Sequence, residues 1–179
     1  MEARDYISPY SYNVLLSDVK HDDLVGPIAE RFGVKYLSEQ KEIPTQSSVE
    51  GILYGTNCRP MVNLVVSSKK YNKHVNITFM IDTTSPCLYV SQQAMKALGF
   101  SDNLPSTFDL IFEDKVYEAV MSPSLPSTAI LHSLDEGSEG KEGRGFHDIN
   151  LIGASFLSKS HANILINYSQ NTLKLSFKK

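Results

Sequence analysis

Phe79-Met80-Ile81-Asp82-Thr83-Thr84-Ser85-Pro86 decides how this chain is read. Residues 74–81 alternate as a β-strand, and its apolar end runs directly into a carboxylate and three hydroxyls. A carboxylate at the end of a buried strand is costly unless it is hydrogen-bonded or paired. Thr83, Thr84 and Ser85 are short side chains placed to supply those bonds. By itself an Asp-Thr-Thr-Ser run is a turn or capping aspartate, so the surroundings decide whether it is more.

Upstream, residues 61–66 form a second apolar run, and the polar stretch 67–73 reads as the turn of a hairpin. Downstream, 87–90 is a short strand leading into a two-turn helix over 91–99. In that helix Ser91 is the N-cap, Ala94, Met95 and Leu98 form the apolar side, and Gly99 is the terminator. Residues 108–112 and 116–121 flank Glu113-Asp114-Lys115 as a second hairpin. Periodicity is lost over 122–150, and 134–145, rich in glycine and charge, reads as a mobile loop. Leu151-Ile152, a short helix over 154–160, and strands over 163–167 and 172–177 close the chain.

Residues 1–50 read differently, as an arm and linker with one short helix. Asp22-Asp23 suit a helix start, Pro27 suits a first turn, Gly33 suits an end, and Leu24, Ile28 and Phe32 share a side. Residues 38–50 read as linker. The expected division is therefore an arm over 1–50 and a β domain over 51–179.

Composition narrows the function. The 179 residues are 41% hydrophobic, enough to fill one sizeable core. A net charge of −3, with Lys+Arg 17 against Asp+Glu 20, gives no attraction for phosphate backbones or anionic lipid, so no nucleic-acid partner is expected. The apolar runs fall far short of the roughly 20 residues that cross a bilayer, so no membrane partner is expected either. Two cysteines, Cys58 and Cys87, make neither a disulfide framework nor a zinc site, and the five histidines are scattered. No metal or other cofactor is implied. The N-terminus has no basic start followed by an apolar run, which points to an intracellular, cytoplasmic site, or to an organelle after removal of a presequence. The sequons at Asn76 and Asn167 fall inside strands and read as chance matches.

The stretch 79–85 resembles the active-site loop of the retropepsin-like aspartic peptidases, whose motif is two apolar residues, Asp, Thr or Ser, Gly, then Ala or Ser. The strand and helix over 87–99 follow as in that family. Residues 150–157, Asn-Leu-Ile-Gly-Ala-Ser-Phe-Leu, resemble its apolar pair, glycine and helix, and 162–175 its closing hairpin. The resemblance spans about 60–177. It implies an all-β fold with short helices, a retropepsin-like half-barrel behind a short helical or irregular N-terminal arm.

By this resemblance Asp82 is the catalytic carboxylate, Thr83 braces the loop across a dimer axis, and Ser85 bonds the outer carboxylate oxygen. Thr84, Ile152 and Gly153 border the peptide. Such enzymes use two carboxylates that share a proton and activate a water. One chain has one such loop, so activity requires a homodimer. Two features depart from the family pattern. Thr84 stands in the glycine position, where a β-branched side chain restricts the backbone and fills the cleft. The nearest candidate for a closing flap, the 113–115 hairpin, has no glycine at its tip. The first expectation is an impaired peptidase domain acting as an interaction or assembly module, self-associated or holding a protein partner on its arm. The alternatives are an active homodimeric endopeptidase that cleaves extended hydrophobic segments and an unrelated β-barrel binding module.

Overall fold

The computed structural model describes residues 19–42, 44–101, 103–122 and 148–178. The loop expected over 134–145 lies outside them. Strand alternation sets the architecture. In β3 (Arg59–Ser68) and β4 (His74–Ile81), Val62, Leu64 and Val66 point to the same side as Val75, Ile77, Phe79 and Ile81, so pairing the two strands creates one apolar face. They pair antiparallel from Met61↔Met80 to Ser67↔His74.

That face closes on itself. β4 pairs in parallel with β8 (Leu151–Ile152), and β8 meets β5 (Leu88–Val90) at Tyr89↔Leu151. β5 runs parallel to β7 (Lys115–Met121), which pairs with β6 (Thr107–Phe112). β6 returns to β3 at Ser67↔Ile111 and Ser68↔Leu110. The six strands form a barrel, and closure leaves no edge within the ring. Phe79, Phe112, Leu110, Ile152 and Phe156 fill it, together with Met95 of α3 (Gln92–Ala97) and Leu98, which caps its end. The Ser91 hydroxyl caps α3 by accepting the Ala94 N–H at 3.2 Å, as the sequence predicts. The fold is mostly β with few short helices.

Beyond β3 the sheet continues through β2 (Ser48–Tyr54) and β10 (Thr172–Phe177) to β9 (Ala162–Asn167), which ends the strand order. β1 (Glu39–Gln40) adds to β4. Both β1 and the start of β2 lie in the stretch read as linker, and the boundary placed at residue 50 falls inside β2.

The single helix expected near the N-terminus is two. α1 (His21–Val25) stops at Gly26, and α2 (Pro27–Phe32) starts afresh because Pro27 lacks the N–H a continuing helix would need. Gly33, with φ 66°, ends α2 in the left-handed region, its N–H reaching the Glu30 carbonyl at 3.0 Å. Leu24, Ile28, Ala29 and Tyr36 pack on the outer face of the barrel against Met61, Met80, Ile149 and Leu151. No helix is long and apolar enough to cross a membrane among the described residues.

The 107–121 hairpin is a wall of the barrel instead of a free flap. Glu113 and Asp114 take φ of 49° and 59°, the tight turn expected of a two-residue hairpin, here without glycine. Phe112 packs tilted against Phe156 and edge-on against Phe177, the Lys159 Nζ donates to the Val116 carbonyl at 2.6 Å, and the Gln46 N–H donates to Glu113 Oε1. These contacts fix the tip against the helix α4 (Ala154–Lys159), the last strand and residues 45–47.

Candidate functional site

The ladder between β4 and β8 runs one step past the strand ends: the Asp82 N–H donates to the Ile152 carbonyl at 3.0 Å. Asp82 therefore sits at the rim of the barrel on the outward side, in step with Met80 and opposite in sense to Ile81. The chain then turns, with the Ser85 N–H bonded to the Asp82 carbonyl at 3.1 Å.

Three donors of this turn converge on the carboxylate. Thr84 gives both its N–H, at 3.0 Å, and its hydroxyl, at 2.6 Å, to Oδ1. The Ser85 hydroxyl donates to Oδ2 at 2.7 Å. Partial burial pushes the Asp82 carboxyl up, but the bonds from Thr84 and Ser85 outweigh it and hold the group below the usual carboxylate range. Thr84 keeps a negative φ, so the β-branched residue fits this turn without left-handed strain. Thr83 is exposed beside it and Thr84 is exposed as well.

α4 anchors the loop from behind. The Ala154 and Ser155 N–H groups donate to the Ser85 and Pro86 carbonyls at 2.8 and 3.0 Å, using up donors that a helix start leaves unpaired. This approach requires Gly153, because a Cβ there would overlap the Ser85 and Cys87 carbonyl oxygens.

The structure thus brings together Asp82, Thr83, Thr84 and Ser85 and places Ile152 and Gly153, also expected to border a peptide, inside the fold. Ile152 is fully buried inside the barrel, since β8 alternates and Leu151 takes the outward position. Gly153 is buried too, directly against the Ser85 and Cys87 carbonyl oxygens.

Two residues escape the sequence reading. Asn150 Nδ2 donates to the Tyr36 hydroxyl at 2.9 Å and the Thr78 carbonyl at 3.1 Å, while its Oδ1 accepts the Ser91 N–H at 2.8 Å. One buried amide thereby joins the arm, β4 and the start of α3. Tyr89 lies between the loop and the arm: burial pushes its hydroxyl up, and Cys87 and then Asp82 add to the shift. The one signal for Asn150 is a polar residue standing directly before an apolar pair.

Among the described residues no group of three or more His, Cys, Asp or Glu is placed to hold a metal ion. A cavity of about 200 Å³ lies behind the loop, bordered by Cys87, Tyr117 and Phe156. A cavity of about 680 Å³ bordered by Tyr71, Phe100 and Phe108 opens at the opposite end of β4 from Asp82.

No family model matches the sequence, and no curated protein matches it. Among solved structures the chain is similar to a retropepsin-like aspartic protease from Rickettsia conorii, with 18% identity and a TM-score of 0.40, over 78% of this chain and 94% of that one.

Proposed function

We propose that this chain is a retropepsin-like aspartic peptidase domain with impaired catalysis that serves as a protein interaction or assembly module. One observation carries the reading: the Thr84 hydroxyl, on the residue where the resembled motif has glycine, donates to the same Asp82 oxygen that accepts the Thr84 N–H. Hydrolysis by paired carboxylates needs one of them protonated and a carboxylate oxygen free to hold the attacking water. Asp82 is arranged the other way. Oδ1 takes two donors and Oδ2 takes Ser85, which favours the anion and crowds the place of the water.

The test is cleavage of a peptide library from acidic to neutral pH by the parent chain, Asp82→Asn and Thr84→Gly. The expected result is no more cleavage by the parent than by Asp82→Asn, with Thr84→Gly gaining activity by removing the hydroxyl that donates to Oδ1. Cleavage by the parent that Asp82→Asn abolishes overturns the impaired reading.

The edge of β9 favours a second reading, an active homodimeric endopeptidase acting on extended hydrophobic peptides. Residues 163–167 read Asn-Ile-Leu-Ile-Asn, the same in both directions, with no charge or proline, and Leu165 is 70% exposed. Such an edge suits antiparallel pairing with its own copy about a two-fold axis at Leu165, each Ile164 opposite the other copy's Ile166. This reading expects a dimer that Leu165→Lys splits, with cleavage lost in the same variant.

A further inference from the structure

Met80 and Asp82 share the outward face of β4, and Leu151, the register partner of Met80, faces the same way. If Asp82 borders a peptide, as the preceding reading holds, the apolar surface next to it on the same strand face is that of Met80 and Leu151. That apolar surface is already covered. Leu24, Ile28 and Tyr36 pack on Met61, Met80, Ile149 and Leu151, and Met80 is 1% exposed.

The covering segment lies outside the barrel core. No residue of 19–36 belongs to the core inside the barrel, and the six-strand ring closes without it. Its helices, of five and six residues, are too short to persist alone in water. Its polar ties to the domain include three side-chain hydrogen bonds. The Tyr54 hydroxyl donates to Asp23 Oδ1 at 2.7 Å, Arg31 Nη1 to the Leu53 carbonyl at 3.0 Å, and Asn150 Nδ2 to the Tyr36 hydroxyl at 2.9 Å. His21 Nδ1 is buried there without a hydrogen-bond partner among the described residues, which weakens the contact. The two-residue β1 pairing follows, and then a mostly exposed connection to β2.

We infer that residues 19–36 are an intramolecular plug on a docking face that runs on from Asp82. The partner for that face is an apolar peptide segment that repeats the Leu24, Ile28 and Tyr36 pattern and takes their place when the plug is released.

The test places a site-specific protease sequence within 41–45 of the full chain and uses a fluorescent synthetic peptide of residues 19–38 as probe. The cut chain is expected to bind the probe at least roughly tenfold more tightly than the uncut chain. Equal binding to the two overturns the inference. In uncut chain, the double variant Leu24→Asp, Ile28→Asp is expected to bind the probe as the cut chain does and still to unfold cooperatively. Loss of cooperative unfolding in that variant overturns the inference, because the segment is then part of the fold. Binding of the probe by a cut chain that cleaves no library peptide upholds the plug and bears only on catalysis at Asp82. Cleavage by a cut chain with no gain in probe binding rejects the plug and leaves the peptidase reading standing.

Discussion

The two faces of β4 are made of different materials. Inward, Val75, Ile77, Phe79 and Ile81 are uniformly apolar and meet a core that closes around them. Outward, Asn76, Thr78, Met80 and Asp82 mix polar and apolar groups. Asn76 Nδ2 donates to Ser38 Oγ at 3.0 Å, the Thr78 hydroxyl donates to Asn63 Oδ1 at 3.4 Å, Met80 packs under the arm, and Asp82 is held by its own loop. The inward face has one arrangement and specifies the barrel. The outward face is satisfied by the arm, a segment distant in sequence, and by the turn that follows the strand. A single strand thereby contributes to two separate apolar clusters, one inside the barrel and one beneath the arm.

Phe79→Ala strikes the inward face hardest. It should cost about 3–5 kcal/mol by leaving a cavity among close-packed side chains, read as a shift in the denaturant midpoint. Gly153→Ala should cost about 2–3 kcal/mol in the same assay, since its Cβ meets carbonyl oxygens of the 82–87 loop and has nowhere to go. Met80→Ala sharpens the contrast: about 2 kcal/mol in the intact chain, and roughly half of that or less once the arm is cut away. The Phe79→Ala cost should be unchanged by the cut. Equal responses of the two variants would erase the distinction between the faces.

The smallest effect is at Asp82 and depends on pH. Its folded pKa lies below its unfolded value, so its bonds to Thr84 and Ser85 contribute stability that is fully present above the ordinary carboxylate range and is lost as pH falls through the folded pKa. Asp82→Asn removes that dependence. The stability difference between parent and variant should therefore shrink on acidification below about pH 4, as followed by thermal unfolding.

Much of the inward face was legible, because a period of two in 74–81 has one interpretation once an apolar partner strand precedes it. The Ser91 cap and the Gly33 terminator were equally plain, being local backbone chemistry. The carboxylate loop was legible as a cluster, although the pairing of each donor with an oxygen was not. What failed was whatever depended on distant segments. Residues 39–40 and 48–50 look like linker until β4 and β10 offer them pairing. Ile152 and Leu151 are interchangeable as an apolar pair until register assigns one of them inward. The 107–121 hairpin has the pattern of a flap and of a wall alike, and only Phe112 packing on Phe156 and Phe177 decides. The shared side of Leu24, Ile28 and Phe32 shows that the arm packs on something, but that the surface is Met80 and Leu151 is a property of the assembled fold.

Asn150 gives the molecule a built-in reporter. Its amide group is shared between Tyr36 and the backbone N–H of Ser91, positions 55 residues apart in sequence that touch it from different sides. Whatever loosens Tyr36 frees one hydrogen of that amide and changes the electronic environment of the Ser91 N–H. By linkage, whatever straightens or frays the start of α3 must shift the occupancy of Tyr36 in return. The resonance of one buried amide therefore records how Tyr36 is seated on the domain.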